Sequence, residues 1–280
     1  MSQLLSAHRL TGSARKNVSK LKSFHSGRSS PFLLHELANL PEHRQSPDTP
    51  LNPYTPKYQS HIPSSSIQKL VIAVGSAFTA LAVPTRADMV AALGETTGPY
   101  ALGRIRDKMM ADAVGRRILR EKPVVDSATV DLDALRQLPN GTFGREYVRW
   151  LDAEGVGPDS REPVKYVDDA VLAYVMQRYR QVHDFWHVVT GMSVSVEAEL
   201  AVKWWEFAHH GMPVALLSGV FGPLRLTAQQ RERLLTVYVP WALRNAGRGK
   251  YPMNVYYEEK WEMPLEELRK ELGVEAVPAL

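Results

Sequence analysis

The chain has 280 residues, 44% of them hydrophobic and 23% charged, the proportions of an ordinary globular protein. It contains no cysteine, which excludes disulfides, thiolate nucleophiles and thiolate metal ligands, so any bound metal must be held by imidazole and carboxylate. The net charge of +4 originates in residues 1–30, where Arg9, Arg15, Lys16, Lys20, Lys22 and Arg28 stand without a single acid. Setting those six aside leaves 28 basic against 30 acidic residues, a balance that gives no reason to expect nucleic-acid binding.

The first acid is Glu36, and the Arg- and Ser-rich stretch before it has the composition of a mitochondrial transit peptide, expected over residues 1–30 as a disordered leader. Residues 31–60 follow as a linker rich in proline and serine, since Pro41, Pro47, Pro50, Pro53 and Pro56 remove donors and block helix. The folded domain is expected over residues 61–280.

Its first element carries no charge from Leu70 to Thr85. Ser64, Ser65 or Ser66 can cap it, and Pro84 ends it. It falls short of the roughly 20 apolar residues that cross a bilayer. The default is a core helix; the alternative is a helix that lies on a membrane or lines a pocket for a lipid chain. Gly94-Glu95-Thr96-Thr97-Gly98 lacks the lysine of a phosphate loop and reads as a turn, although Glu95 is a candidate for function. Pro123 to Val125 reads as a short extended piece. Short helices follow over Asp131 to Leu138, ended by Pro139, and over Gly144 to Glu154, closed by Gly155.

The longest element spans Asp168 to Thr190. Val171, Val175, Tyr179, Val182, Trp186 and Val189 recur at steps of three and four, and Gly191 supplies the stop. Ser193 or Ser195 caps the next helix, which runs through Trp204, Trp205 and Phe207 to Gly211. Thr227 and Gln230 form a capping box for a helix that Pro240 should kink. Asn254 to Tyr257 is a second short extended candidate, and Pro264 to Leu272 is a final helix before Gly273. The fold class is all-α, with few extended segments.

The chemistry lies in His183-Asp184-Phe185-Trp186-His187. At about 100° per residue, His187 sits roughly 40° round the helix from His183, and Asp184 roughly 100° round. Paired imidazoles four residues apart are the helical chelate of zinc sites. Glu199 lies twelve residues after His187, one turn into the next helix, where a hairpin can fold it back. The candidate metal ligands are therefore His183, Asp184, His187 and Glu199. Arg178 and Arg180 lie just upstream, and a solvated face is the default for each. His209 and His210 are adjacent, point about 100° apart, and read as a helix-end feature rather than a chelate. Trp204, Trp205, Phe207 and Phe221 read as core by default.

Taken together with HIPSSSIQKLVIAVGSA, DMVAALGETTG, GRRILREKP, LPNGTFGREYVRWL, YVMQRYRQVHDFWH, FGPLRL, VPWALRNAGRG and NVYYEEKWEMPLEELR, the motif resembles the mitochondrial coenzyme Q (ubiquinone) biosynthesis protein four family, over Tyr58 to Gly273. The resemblance implies zinc at His183, Asp184, His187 and Glu199, with ferrous iron or another divalent metal also suited to the donors. It implies removal of the C1 carboxyl from a 4-hydroxy-3-methoxy-5-polyprenylbenzoate. For such a substrate it adds a role for Arg178 or Arg180 in gripping the carboxylate, and for Trp204, Trp205, Phe207 and Phe221 in lining an isoprenoid tunnel. The expected site is the matrix side of the mitochondrial inner membrane, peripherally, among other coenzyme Q biosynthesis proteins in a multi-subunit complex; a homo-oligomer is compatible with this. The alternative is a non-catalytic, lipid-binding scaffold of that complex with a structural metal.

Overall fold

The computed structural model describes residues 55–83, 86–160, 162–275 and 277. The transit peptide and most of the linker expected from the sequence lie outside the described residues. The fold is all-α. Among the described residues there is no strand, and one isolated antiparallel bridge joins Thr142 to Pro264. Tyr58 and Ser60 already belong to the packed body: their hydroxyls donate to the carbonyls of Val167 (2.8 Å) and Val164 (2.7 Å).

Helix α1 (Ser66–Ala82) starts in a full capping box between Ser65 and Gln68. Helices α2 (Ala87–Thr97), α3 (Pro99–Ala111) and α4 (Ala113–Glu121) follow almost without loops. The turn expected at Gly94 to Gly98 is instead the last helical turn of α2, and only Gly98 joins it to α3. Its threonines are held in helix because Thr96 and Thr97 both donate back to the carbonyl of Leu93, at 3.2 and 2.6 Å. Pro123 to Val125 is non-helical but pairs with nothing as a strand, and Asn254 to Tyr257 lies between two 3-10 turns. Short helices α5 (Leu132–Arg136) and α6 (Phe143–Glu154) precede the central helix.

That helix, α7 (Ala170–Thr190), is capped by Asp169, which accepts from the backbone of Val171 and Leu172, and is closed by Gly191 at φ 74°, a conformation that favours glycine. It packs against α3, α4, α6, α12 and α8. Of the predicted stripe, Val175, Tyr179, Val182, Trp186 and Val189 are buried, while Val171 is exposed at the first turn. The opposite face is buried too: Phe185 meets Tyr147 edge-on at 4.8 Å and Phe143 at 5.3 Å, and Trp261 stacks on Phe143 at 5.3 Å.

Helix α8 (Val196–His210) is capped by Ser195 and turns at Gly211 into α9 (Pro213–Phe221). Thr227 forms the expected capping box at α10 (Ala228–Arg233). The kink expected from Pro240 takes the form of a π-helical turn over Leu234–Tyr238, which widens the backbone ahead of the proline before α11 (Val239–Asn245). Helix α12 (Leu265–Leu272) ends at Gly273 as predicted.

Helix α1 departs from the core-helix default. Only Ser76 of it is buried. Ile67, Leu70, Val71, Val74 and Phe78 form an apolar stripe that faces outward, with Ile67 75% and Phe78 72% exposed. The reason is its position: α1 packs chiefly on α2, and among the described residues no element lies outside it.

Arg178, on α7, is entirely buried. It forms a two-armed ion pair with Glu258 and donates to the carbonyl of Val255 at 3.3 Å. This removes Arg178 from the candidates for a substrate grip. Glu258→Ala is expected to lower stability by about 3 kcal/mol, because it strands a buried guanidinium, and urea unfolding measures it. A loss within about 0.5 kcal/mol would show that solvent replaces the carboxylate.

Candidate metal centre

Four residues on α7 bring His183 and His187 onto one face, and the α7–α8 hairpin folds Glu199 back onto them. His183 Nε2 and His187 Nε2 are 3.1 Å apart. Glu199 reaches both, with Oε2 3.6 Å from His183 and Oε1 3.4 Å from His187. One donor atom from each of the three lies within 4.8 Å of the others, a group that can hold a metal ion. Asp184 is buried on the same helix, but its carboxylate is not in this group.

Each imidazole is fixed from behind. His187 Nδ1 donates to the carbonyl of Met192 at 3.2 Å, and that carbonyl also accepts from the Trp150 indole at 3.1 Å. His183 Nδ1 bonds to Glu206, a carboxylate with no exposure. With both protons on Nδ1, two Nε2 lone pairs face each other across 3.1 Å. Lone pairs that close repel unless a proton or a cation lies between them. The donor set therefore fits a divalent ion: two imidazoles and a carboxylate, oriented inward.

The charges around His183 favour its protonated form. Burial and Lys203 push the His183 pKa down, but Glu206 and Glu199 outweigh them and raise it above 6.5. Burial pushes the Glu199 carboxyl up, but hydrogen bonds from His183 and His187 outweigh it and hold it well below the usual range.

The group opens on a cavity of about 700 Å³, walled by Arg86, Arg180, His183, Glu199 and Lys203 among others. Arg180 is anchored there by Glu95, at 3.1 Å. Glu95 is buried and accepts from the backbone of Lys165 (2.8 Å) and Tyr166 (3.0 Å). Burial raises its pKa by more than those bonds and Arg180 lower it. A second cavity of about 450 Å³ is almost wholly apolar, lined by Phe78, Leu81, Leu93, Leu217 and Phe221. The two share Val90, Val196, Leu200 and Ser218 as wall residues. Phe221 lines this apolar cavity, whereas Trp205 is core. His209 and His210 lie apart: His209 Nδ1 bonds to the carbonyl of Trp205 (2.9 Å) and His210 Nδ1 to the Tyr251 hydroxyl (2.8 Å). Burial lowers His209 to about 4.

Residues 58–278 match the family model described as Coenzyme Q (ubiquinone) biosynthesis protein Coq4. The chain belongs to this family. A mitochondrial ubiquinone biosynthesis protein of Laccaria bicolor is 51% identical over 220 residues, covering 79% of this chain and 74% of that one. The Bos taurus homologue is 48% identical over 221 residues, covering 79% and 83%. A crystal structure of a Nostoc punctiforme protein superposes with a TM-score of 0.59 at 22% identity, covering 74% of this chain and 99% of that one; that likeness concerns the fold alone.

Glu206 and Lys203 were not among the predicted site residues, and Glu95 was named only as a candidate on an expected turn. Glu199, Lys203 and Glu206 stand four and three residues apart, a charged stripe along an otherwise apolar helix, and this periodicity was the available signal.

The shifts set the pH response. The stability owed to the raised His183 is complete below 6.5 and is lost as pH climbs through its folded value. That owed to the lowered Glu199 is present above 4.5 and is lost as pH falls. Metal-free protein is expected to melt highest between these limits. Because zinc competes with protons for these donors, it is expected to raise the melting temperature more at about pH 8 than at about pH 6. Thermal melts with and without zinc test this; an equal rise at both would show that zinc displaces no proton.

Proposed function

We propose that the protein catalyses metal-dependent C1 decarboxylation of 4-hydroxy-3-methoxy-5-polyprenylbenzoate in ubiquinone biosynthesis. The observation that carries this reading is the junction of two unlike cavities, one polar, lined by Arg86, Arg180 and Lys203 with Asp88 and Glu162 and bordered by His183 and Glu199 of the ligand group, the other almost wholly apolar. A substrate with an anionic aromatic head and a hydrocarbon tail matches both. Asp184 enters the proposed ligand set from the family resemblance, beside the three residues that geometry supports.

A divalent ion held there supplies a Lewis acid for a carboxylate or phenolate oxygen, with redox chemistry in addition if it is iron rather than zinc. Arg180, locked by Glu95, is the residue placed to pair with the substrate carboxylate. The apolar walls around Val90 and Leu200 exclude water from the ring and anchor the chain. The ligand group borders a cavity and supplies three close donors, which favours a catalytic over a purely structural metal.

We further place the chain peripherally on the matrix side of the mitochondrial inner membrane, among other coenzyme Q biosynthesis proteins, with residues 1–30 as a transit peptide, 31–60 as linker and 61–280 as the working domain. The names of the relatives include mitochondrial location. No helix among the described residues is long and apolar enough to cross a membrane. The outward stripe of α1 is the surface that suits a bilayer, and its inner face lines the apolar cavity.

Purified protein loaded with zinc or with iron is expected to release CO2 from the prenylated substrate, measured with and without oxygen. His187→Ala and Glu199→Ala should fall to background, and Arg180→Met should raise KM about tenfold or more. No turnover with any metal, with prenyl-chain binding intact, would favour the scaffold with a structural metal. Leu70→Asp with Phe78→Asp is expected to abolish co-sedimentation with lipid vesicles while leaving zinc uptake unchanged; retained sedimentation would remove α1 from the membrane surface.

A further inference from the structure

We infer that Glu206 is the positioning residue of the metal centre: it holds His183 in the one tautomer and ring orientation that turn Nε2 toward His187 and Glu199. The inference rests on the metal-centre reading above and concerns a residue outside the ligand set.

An imidazole ligates only through its unprotonated nitrogen, so the hydrogen bond at the other nitrogen decides which one is available. Glu206 has no exposure, and leaving a carboxylate there costs several kcal/mol unless donors surround it. Three do. Lys203 Nζ donates to Oε1 at 3.1 Å and to Oε2 at 2.9 Å, the Tyr179 hydroxyl donates to Oε2, and His183 Nδ1 meets Oε1. With hydroxyl and ammonium both giving protons to it, Glu206 is left as an acceptor only. The proton of the His183 contact therefore sits on Nδ1, and the lone pair on Nε2.

The arrangement is unequal between the two histidines. His187 is backed by a neutral carbonyl, that of Met192, and His183 by a charged carboxylate. A carboxylate behind an imidazole raises its basicity as a ligand. Helix α8 supplies both parts from one face: Glu199 toward the centre and, seven residues later, Glu206 behind it. The competing role is a plain counter-ion for Lys203. That role would not require full burial, because the Lys203 side chain is 17% exposed and lines the cavity, where a carboxylate could pair with it at lower desolvation cost.

The test uses the full chain as wild type, Glu206→Gln, and Glu206→Leu combined with Lys203→Leu, which leaves no unpaired buried charge. Zinc affinity is read by competition with a chromophoric chelator, ligand geometry by the visible spectrum of the cobalt(II) form, and folding by melting of the metal-free chain. The double variant is expected to fold, to bind zinc 10 to 100 times more weakly (an order-of-magnitude range, about that of ligand-backing residues generally), and to show an altered cobalt spectrum. Glu206→Gln keeps an acceptor for Nδ1–H and should lose only several-fold. A double variant with wild-type zinc affinity and an unchanged cobalt spectrum would overturn the assignment. If it does not fold, an unchanged affinity and spectrum in Glu206→Gln overturns it equally. Wild-type protein that takes up neither zinc nor cobalt would instead overturn the metal-centre reading itself.

Discussion

Two imidazole nitrogens held 3.1 Å apart inside a helical core form an arrangement that the fold has to support at every step. Left to themselves, the rings would rotate apart. They cannot, because each is tied at Nδ1 and His187 is stacked against Trp150 at 5.2 Å. Those ties need α7 buried on most of its circumference, and that in turn needs the aromatic layer of Phe143, Tyr147, Phe185 and Trp261 on one side and α8 on the other. Such packing leaves little free volume for a side chain to reorient.

The same helix separates structural from functional charge within three residues. Arg178 and Arg180 lie about 200° apart around α7. Arg178 points into the protein and is consumed by Glu258 and a carbonyl. Arg180 lines the cavity and is held by Glu95, whose carboxylate two backbone N–H groups keep in place. Equal in sequence appearance, the two arginines differ because the faces on which they fall meet different neighbours.

Local chemistry made much of this legible. Capping at Ser65, Ser195 and Thr227, glycine stops at Gly155, Gly191, Gly211 and Gly273, and the period of α7 all depend on nearest neighbours, and all appear as read. The pairing of His183 with His187 is likewise a property of one helix, while the arrival of Glu199 needed only a hairpin. Helices α2, α3 and α4 were not anticipated, because glycines and threonines interrupt their apolar spacing and tertiary contacts decide their state. Glu206 escaped, and Glu95 was a candidate with no assigned role, for a related reason: a buried carboxylate on a helix acquires its meaning only from donors 23 and 85 residues away in the chain.

Helix α1 carries both an outward apolar stripe and part of the wall of the apolar cavity. A helix without charge over most of its length has two apolar faces, and in a small all-α body only one of them can be covered. Here the half-buried Ala77 and Ala80 line the apolar cavity, joined from the exposed side of the helix by Phe78 and Leu81. Arg225 ties the end of the helix down through the carbonyl of Leu81. The cavity wall and the outward apolar face are thus one turn of helix thick. A ligand chain in that cavity would lie directly beneath the surface best suited to hydrocarbon, and its head group would meet Arg180 and the histidine pair beyond Leu200. The metal group and Arg180 border one cavity and the apolar wall the next, with Val90, Val196, Leu200 and Ser218 between them, an order that matches the anionic head and hydrocarbon tail of the proposed substrate.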